Sequence, residues 1–98
     1  MRTSASIPLD ANIVRGTEQV SCDFEEDTVI LNILDGMYYE LSDVGARVWE
    51  LVESPRTFQE IEGVILDEYE VDPARCREDI ERLIGELASK GLVEVRGA

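Results

Sequence analysis

The hydrophobic spacing of this chain changes once, near Ser42, and that change limits the folds open to it. Before it, apolar residues alternate with polar ones or form β-branched runs, as in "EQVSCDF" (18–24), "TVILNIL" (28–34) and "MYYEL" (37–41), which is typical of strands. After it, they recur every three or four residues, which is typical of amphipathic helices. Strands and helices segregated in this way predict an α+β fold.

We predict that the three strands pair as an antiparallel sheet. In the first strand, Val20, Cys22 and Phe24 alternate with polar residues and would form one buried face. Cys22 and Cys76 are the only cysteines, and they form no CxxC motif. We therefore expect two free, reduced and partly buried thiols.

The dipeptide Asp35-Gly36 indicates a hairpin, and two loop lengths compete. A two-residue loop would pair Leu34 with Met37, whereas a three-residue loop 34–36 with Gly36 in the left-handed region would pair Ile33 with Met37. The longer loop is favoured because it gathers the large apolar side chains on one face. That face would hold Val29, Leu31, Ile33, Met37, Tyr39 and Leu41, and the other Ile30, Asn32, Tyr38 and Glu40.

Three helices are predicted at 43–53, 58–70 and 73–90, each with its own boundary signals. The signals are the N-caps Ser42, Thr57 (in a capping box with Glu60) and Asp72 (before Pro73), and Gly91 after the last helix. "LVEV" (92–95) then predicts a short closing strand. The second and third helices are joined tightly enough to form a helix-turn-helix unit.

The chain of 98 residues fits one domain, and its 44% hydrophobic and 32% charged content is typical of a globular one. We predict a flexible N-terminal tail over 1–15, in which order near Ile13 and Val14 stays open, and a single domain over 16–96. The start, "MRTSASIPLDAN", lacks the apolar core of a secretory signal, and no apolar run is long enough to span a membrane. A cytoplasmic protein is expected.

Composition excludes several functions. The chain has no histidine, no Gly-rich phosphate loop and no GxSxG motif, and its acidic runs lack the pattern of a calcium loop, so we expect no enzyme, metal or cofactor. Its net charge is −13, from 22 acidic and 9 basic residues. A recognition helix this acidic would be repelled by phosphate, so a DNA-binding regulator is the weaker alternative.

The third strand, "MYYEL", favours a binding module. It carries no proline or lysine, and if the strands follow one another in order it lies at an edge of the sheet. An edge of this kind can accept a strand from another chain. Two alternatives stay open: the helices cover this edge and the tyrosines are ordinary core, or the edge joins two copies of the chain.

Three segments, "DGMYYELSDVGARVWELVE", "RTFQEIEGVILDEYEVD" and "DIERLIGELASKGLVEV", together carry a family resemblance. The order is a glycine turn, an aromatic strand, a helix with Gly-Ala-x-x-Trp, a T-x-x-E-I helix and a closing L-x-x-L-x-x-x-G-L helix. Over roughly residues 18 to 95 the chain resembles the PqqD-like family of peptide-binding domains, also called RiPP recognition elements. These domains bind the leader segment of ribosomally made precursor peptides.

The resemblance implies a winged helix-turn-helix with a three-stranded sheet in front of it. It also implies a site between the third strand and the third helix. In the family, the leader adds a strand to the third strand, and its apolar side chains enter a groove beside the third helix. The positions that this implies here are Met37, Tyr38, Tyr39, Glu40, Leu41, Cys76, Asp79, Ile80, Arg82, Leu83 and Leu87. Some of the helix residues must also be core, and core is the better interpretation for Ile80 and Leu87.

Within the family, the aromatic strand and the Trp49 helix are most similar to the stand-alone element of lasso-peptide pathways. That likeness implies a separate leader peptidase and a cyclase as partners, and a lysine-bearing leader that would suit an acidic protein. The alternative is a PqqD of pyrroloquinoline quinone synthesis, which would serve a radical-SAM enzyme.

Overall fold

The computed structural model describes residues 7–25 and 27–97, and this part of the chain contains six strands and three helices. In chain order they are β1 (Asn12–Arg15), β2 (Gln19–Phe24), β3 (Asp27–Asn32), β4 (Tyr38–Ser42), α1 (Asp43–Leu51), β5 (Arg56–Thr57), α2 (Phe58–Glu68), α3 (Pro73–Ser89) and β6 (Val93–Arg96). The strands form two antiparallel sheets, β2-β3-β4 and β5-β1-β6. The α+β class is confirmed, with the predicted three-stranded sheet β2-β3-β4 before the helices and the closing strand β6 after them.

Two strands, β1 and β5, were not predicted from the sequence. β1 pairs with β6 along its whole length, and its Ile13 is fully buried. Residues 12–15 are therefore a strand of the domain, which corrects their assignment to a flexible tail. Arg15 ties it to α1, with its guanidinium 4.2 Å from the Trp49 ring centroid and its Nη2 donating to the Trp49 carbonyl at 2.6 Å. Residues 1–6 of the expected tail lie outside the described residues.

The predicted helix boundaries are confirmed to within two residues at each end. Thr57 and Glu60 form the expected capping box, with hydrogen bonds of 3.1 and 2.9 Å, and the Asp72 carboxylate accepts from the Arg75 N–H at 3.0 Å. Gly91 follows α3 with a φ of 75°, as a C′ glycine does. Ser42 occupies the N-cap position of α1, but its side chain makes no capping hydrogen bond.

The β3–β4 hairpin corrects both predicted registers. Leu31 pairs with Tyr38 and Ile30 with Tyr39, so the loop has four residues, 33–36, rather than two or three. Side chains hold this longer loop: Asn32 accepts from the Leu34 N–H at 3.0 Å and Asp35 from the Met37 N–H at 2.8 Å. Gly36 takes the expected left-handed conformation, with a φ of 71°.

The observed register turns the opposite face of β3 toward the core. Thr28, Ile30 and Asn32 are buried, whereas Val29 and Leu31, predicted to face inward, lie on the outer face. The two polar residues are satisfied there, because Thr28 donates to Asp23 at 2.9 Å and Asn32 donates to the carbonyl of Lys90 at 2.8 Å. These two polar side chains of β3 can be buried because each has a hydrogen-bond partner, and the sequence of the strand itself does not reveal those partners.

The same correction applies to β2 and to the loop. Val20 and Phe24, predicted to be buried, are each 57% exposed, and Cys22 is exposed as well. Ile33 and Met37 are also exposed, while Cys76 is a buried free thiol. The outer face of the β2-β3-β4 sheet thus carries apolar side chains that no described residue of the chain covers.

The core lies between the three helices, β1, β6 and the inner face of β3. It contains the predicted helical stripes almost unchanged. Its members are Ile13, Ile30, Val48, Trp49, Leu51, Val52, Phe58, Ile61, Ile65, Cys76, Ile80, Ile84, Leu87, Leu92 and Val93.

Candidate peptide-binding groove

The strand β4 forms one edge of its sheet. It pairs with β3 on one side, and within the described residues no other strand pairs with it. It contains no proline, glycine or lysine, residues that commonly blunt a sheet edge. The edge of the third sheet strand is therefore open, as predicted from the sequence.

The ladder fixes which peptide groups point to this open edge. Asn32 N–H donates to the Met37 carbonyl at 2.9 Å, and hydrogen-bonded pairs alternate along an antiparallel ladder. The backbones of Tyr39 and Leu41 therefore face β3. Those of Tyr38 and Glu40 point away from β3 and offer donors and acceptors to an additional strand.

An apolar floor lies behind this edge. Tyr39 and Leu41 project inward from β4 and are half-buried against the core. A Cβ built on Gly45 would lie 3.6 Å from Leu41 Cβ and 3.8 Å from Leu83 Cδ2, so the start of α1 fits closely between these two leucines. Tyr39 and Leu41 of β4 and Leu83 of α3 are thus half-buried against the same core, and these three side chains are the apolar floor.

The far end of the floor is fixed by polar contacts of Tyr39. Its hydroxyl donates to Asp35 Oδ2 at 3.0 Å, and the Lys90 ammonium lies 5.5 Å from its ring centroid. Desolvation and the hydrogen bond to the Asp35 carboxylate raise the pKa of the Tyr39 hydroxyl. The phenol therefore remains a hydrogen-bond donor to Asp35, and this bond orients the ring.

The positions predicted on α3 divide into core and surface. Cys76, Ile80 and Leu87 are at most 4% exposed and belong to the core, as expected for Ile80 and Leu87. Burial, with Glu62 and Asp79 nearby, also raises the pKa of the Cys76 thiol. Leu83 is half-buried, and the remaining two, Asp79 and Arg82, are exposed and joined by a 2.7 Å ion pair.

The positions predicted on β4 divide by face. Tyr39 and Leu41 face inward, whereas Tyr38 is 68% exposed and Glu40 is exposed on the outer face. This confirms the opposite orientations predicted for the two tyrosines. Met37, between the loop and β4, is 56% exposed, which corrects its predicted inward orientation.

Sequence reasoning did not single out Gly45 or Lys90 as part of this site. Gly45 lies within the Gly-Ala-x-x-Trp segment, and a glycine inside a helical pattern is less favourable than alanine, which is a signal that could have drawn attention to it. Lys90 carried no such signal, because its contact with Tyr39 depends on the tertiary placement of the end of α3. In residues 7–25 and 27–97, no three acidic or cysteine side chains are arranged to hold a metal ion.

The arginines of α3 are occupied by carboxylates. Arg77 Nε lies 2.8 Å from Glu62 Oε2, and Arg75 Nε lies 4.0 Å from Asp79 Oδ2. Together with the Asp79–Arg82 pair, these contacts place a carboxylate beside each arginine of the helix. None of the helices within the described ranges is long and apolar enough to cross a membrane.

The fold places an open aromatic strand near an amphipathic helix, the arrangement by which small domains accept an added strand. The sequence model of the family described as "Coenzyme PQQ synthesis protein D (PqqD)" matches residues 27–93. The chain belongs to this PqqD family. A search of curated protein sequences found no match.

Two solved structures share the fold. A chain described as TbiB1 in complex with the TbiA(beta) leader peptide is 30% identical, with a TM-score of 0.79, and the match covers 87% of this chain and 99% of that one. A second, described as a lasso peptide synthetase B1 complexed with the leader peptide, is 20% identical with a TM-score of 0.68. That match covers 84% of this chain and 96% of the other, and it supports the fold alone.

Proposed function

We propose that this chain is a non-catalytic adaptor of a lasso-peptide pathway. It binds the leader segment of a ribosomally made precursor peptide by strand addition to β4, in the cytoplasm where the precursor is made. It then presents the precursor to a separate leader peptidase and cyclase. The single observation that carries the proposal is the open β4 edge above the half-buried floor of Tyr39, Leu41 and Leu83.

An added strand at β4 can make two kinds of contact, main-chain hydrogen bonds and apolar side-chain contacts. The peptide groups of Tyr38 and Glu40 would supply main-chain hydrogen bonds, which give affinity with little dependence on sequence. Alternate side chains of the leader would point toward the floor, where apolar residues would be selected. Binding of a leader peptide by the 30% identical TbiB1 supports this assignment.

Charge favours a basic leader. The chain carries a net charge of −13, and Glu40 lies on the open strand itself. A field of this sign accelerates the encounter with a cationic peptide, and salt screens it. The same charge, with the α3 arginines beside carboxylates, opposes the alternative of a DNA-binding regulator.

A second candidate is delivery of a precursor to a radical-SAM enzyme in pyrroloquinoline quinone synthesis. The description of the matching family favours it. The adaptor step is the same in both candidates, and they differ in the enzymes that follow. A gene neighbourhood with a short precursor, a peptidase and an asparagine-synthetase-like cyclase would support the lasso pathway, and a radical-SAM neighbour would contradict it.

Fluorescence polarisation tests the adaptor function. The probe is a labelled synthetic peptide that covers the leader of the precursor encoded nearest to this gene, and a scrambled peptide of the same composition is the control. We expect saturable binding of the leader and at least about tenfold weaker binding of the scrambled peptide, a difference of about 1.4 kcal/mol. Equal binding of the two peptides would reduce the interaction to charge and contradict the proposal.

Glu40→Pro tests the mode of binding. Proline has no N–H, so the variant lacks the Glu40 donor that points to the open edge. The bonds between β4 and β3 remain, because the Glu40 backbone does not face β3, and edge strands tolerate proline at such positions. We expect the leader affinity to fall by at least about tenfold, because each net main-chain hydrogen bond contributes about 1 kcal/mol and the ring also obstructs the edge. The matched control is Ser21→Pro on the opposite edge strand β2, which should bind the leader like the parent chain.

A further inference from the structure

The strand β2 is a second open edge, and its sequence is complementary to itself. Within the described part of the chain, β2 pairs with β3 and with no other strand. It contains no proline, glycine or lysine. We propose that β2 pairs with β2 of a second copy of this chain, antiparallel and centred on Cys22, which joins two sheets into one of six strands.

The ladder again fixes which groups are free. Ile33 N–H donates to the Glu18 carbonyl at 3.0 Å, so by alternation the backbones of Val20 and Cys22 face β3. The peptide groups of Ser21 and Asp23 therefore point to the open edge. Paired about Cys22, Ser21 of each copy lies opposite Asp23 of the other, and the two pairs exchange main-chain hydrogen bonds.

The side chains agree with this register. Asp23 lies opposite a serine hydroxyl, which is a hydrogen-bond donor, rather than opposite another acid. Val20 lies opposite Phe24 of the second copy, and each is 57% exposed in the single chain. A β-branched residue opposite an aromatic one is a favourable cross-strand pair. The register two residues further along would instead place Asp23 opposite Asp23.

The paired sheet also extends the uncovered outer face. Val20 lies beside Leu31 and Tyr38 in one row across the sheet, and Cys22 lies beside Val29 in the next. Addition of Phe24 from the second copy places a large apolar group against the open end of the first row. The two β4 edges then lie at the far ends of the six-stranded sheet, so each copy keeps its own groove open.

The contact is expected to be weak and salt-dependent. An edge pairing with few side-chain contacts lies below the ~1,200 Å² of stable interfaces, and both copies carry a net charge of −13. Salt screens this repulsion, so dimerisation should strengthen as ionic strength rises. A basic leader should show the opposite dependence at β4.

Cysteine cross-linking tests the register. Cys22 would form a non-hydrogen-bonded pair with Cα atoms about 4.5 Å apart, within the ~4.4–6.8 Å of disulfides. With diamide as oxidant in high salt, we expect a covalent dimer of the parent chain and of Cys76→Ser, and none of Cys22→Ser. Absence of the dimer in the parent chain would overturn the proposal.

Matched controls move the cysteine along the same face. Val20→Cys and Phe24→Cys, each in the Cys22→Ser chain, have similar exposure, but each lies four residues, about 13 Å, from its own copy. We expect them to cross-link at least tenfold more slowly than Cys22, where tenfold corresponds to about 1.4 kcal/mol. Equal rates at all three positions would show random collision and overturn the Cys22 register.

Sedimentation equilibrium tests the contact without a covalent bond. We expect the reduced parent chain to dimerise between about 10 μM and about 1 mM, the range of weak contacts. Ser21→Pro should abolish the dimer, because it removes an N–H from the pairing edge, and should leave the melting temperature and leader binding unchanged. Glu40→Pro should still dimerise. A parent chain that stays monomeric at the highest concentration and salt would overturn the proposal, whatever the outcome of the leader experiments.

Discussion

The two edges of the β2-β3-β4 sheet offer the same kind of backbone and differ in what lies behind it. Both strands are free of proline and lysine, and each pairs only with β3 among the described residues. Behind β4 lie two half-buried side chains, Tyr39 and Leu41, and Leu83 of α3. Behind β2 lie the polar side chains Gln19 and Ser21, and its apolar residues face outward.

This difference indicates different partners for equal edges. An added strand at β4 can place alternate side chains on an apolar floor, which allows selection of a sequence. A strand added at β2 finds apolar partners only on the outer face, where Val20 and Phe24 complement each other. The free backbone groups of an edge allow any strand to pair with it, and the side chains beside that edge determine which partner sequence binds.

The largest expected effect comes from a charge in the β4 floor. Leu83→Asp would bury an unpaired carboxylate beneath the bound leader, which costs about 2 kcal/mol or more, so leader affinity should fall by at least about thirtyfold. Fluorescence polarisation measures it, with Val20→Asp on the outer face of β2 as the control that should bind normally. Equal losses in both variants would break the distinction between the two edges. Leu83→Ala introduces no charge, so a loss of leader affinity in this variant reports the lost apolar contact with the leader rather than misfolding.

The two tyrosines should differ in stability. Tyr39→Ala removes a half-buried ring, so the free energy of unfolding should fall by about 1–2 kcal/mol and the melting temperature by roughly 5–10 °C, with weaker leader binding. Tyr38→Ala removes an exposed ring, so leader affinity should fall by about three- to tenfold, or ~0.6–1.4 kcal/mol, with little change in melting temperature. Thermal denaturation and polarisation test both. If both variants lost equal stability and neither lost leader affinity, the proposed division into an inward tyrosine for stability and an outward tyrosine for binding would be contradicted.

Salt gives the smallest effect and the sharpest contrast. Between about 50 and about 500 mM NaCl the Debye length falls from about 14 to about 4 Å, so leader affinity should decrease by several-fold. Over the same range the dimer should become more stable, because the repelling charges are screened. Titration by polarisation and by sedimentation in the same buffers measures the two trends. Trends of the same sign would show that charge does not distinguish the two contacts.

Local signals sufficed for the helical half of the fold. Thr57 with Glu60, and Asp72 before Pro73, start helices through contacts within four residues, and Gly91 ends one through its own backbone freedom. Such signals act in any context. The boundaries of α1, α2 and α3 were therefore predictable to within two residues.

The sequence predicted which strand and helix form the site, but not how deeply each α3 side chain is buried. The order of the strands placed "MYYEL" at an edge, and the helical stripe placed α3 beside the core. Which stripe members lie at the groove depends on how α3 rotates against β4. The stripe alone could not separate half-buried Leu83 from buried Cys76 and Ile80.

By itself, the sequence determined the α+β class and the helix boundaries, because both depend on neighbouring residues. For the aromatic strand, the order of the strands favoured an edge position and left open whether the helices cover it. Only the tertiary structure decided the hairpin register and the inner face of β3. The outer face of that strand, with Val29 and Leu31, is the more apolar one, so hydrophobicity alone predicted the wrong side. On the inner face the buried Asn32 amide donates to the Lys90 carbonyl at the end of α3. It also decided that β1 is a strand, since its partner β6 lies at the other end of the chain. Contacts that far apart leave no periodic signal in the residues that make them.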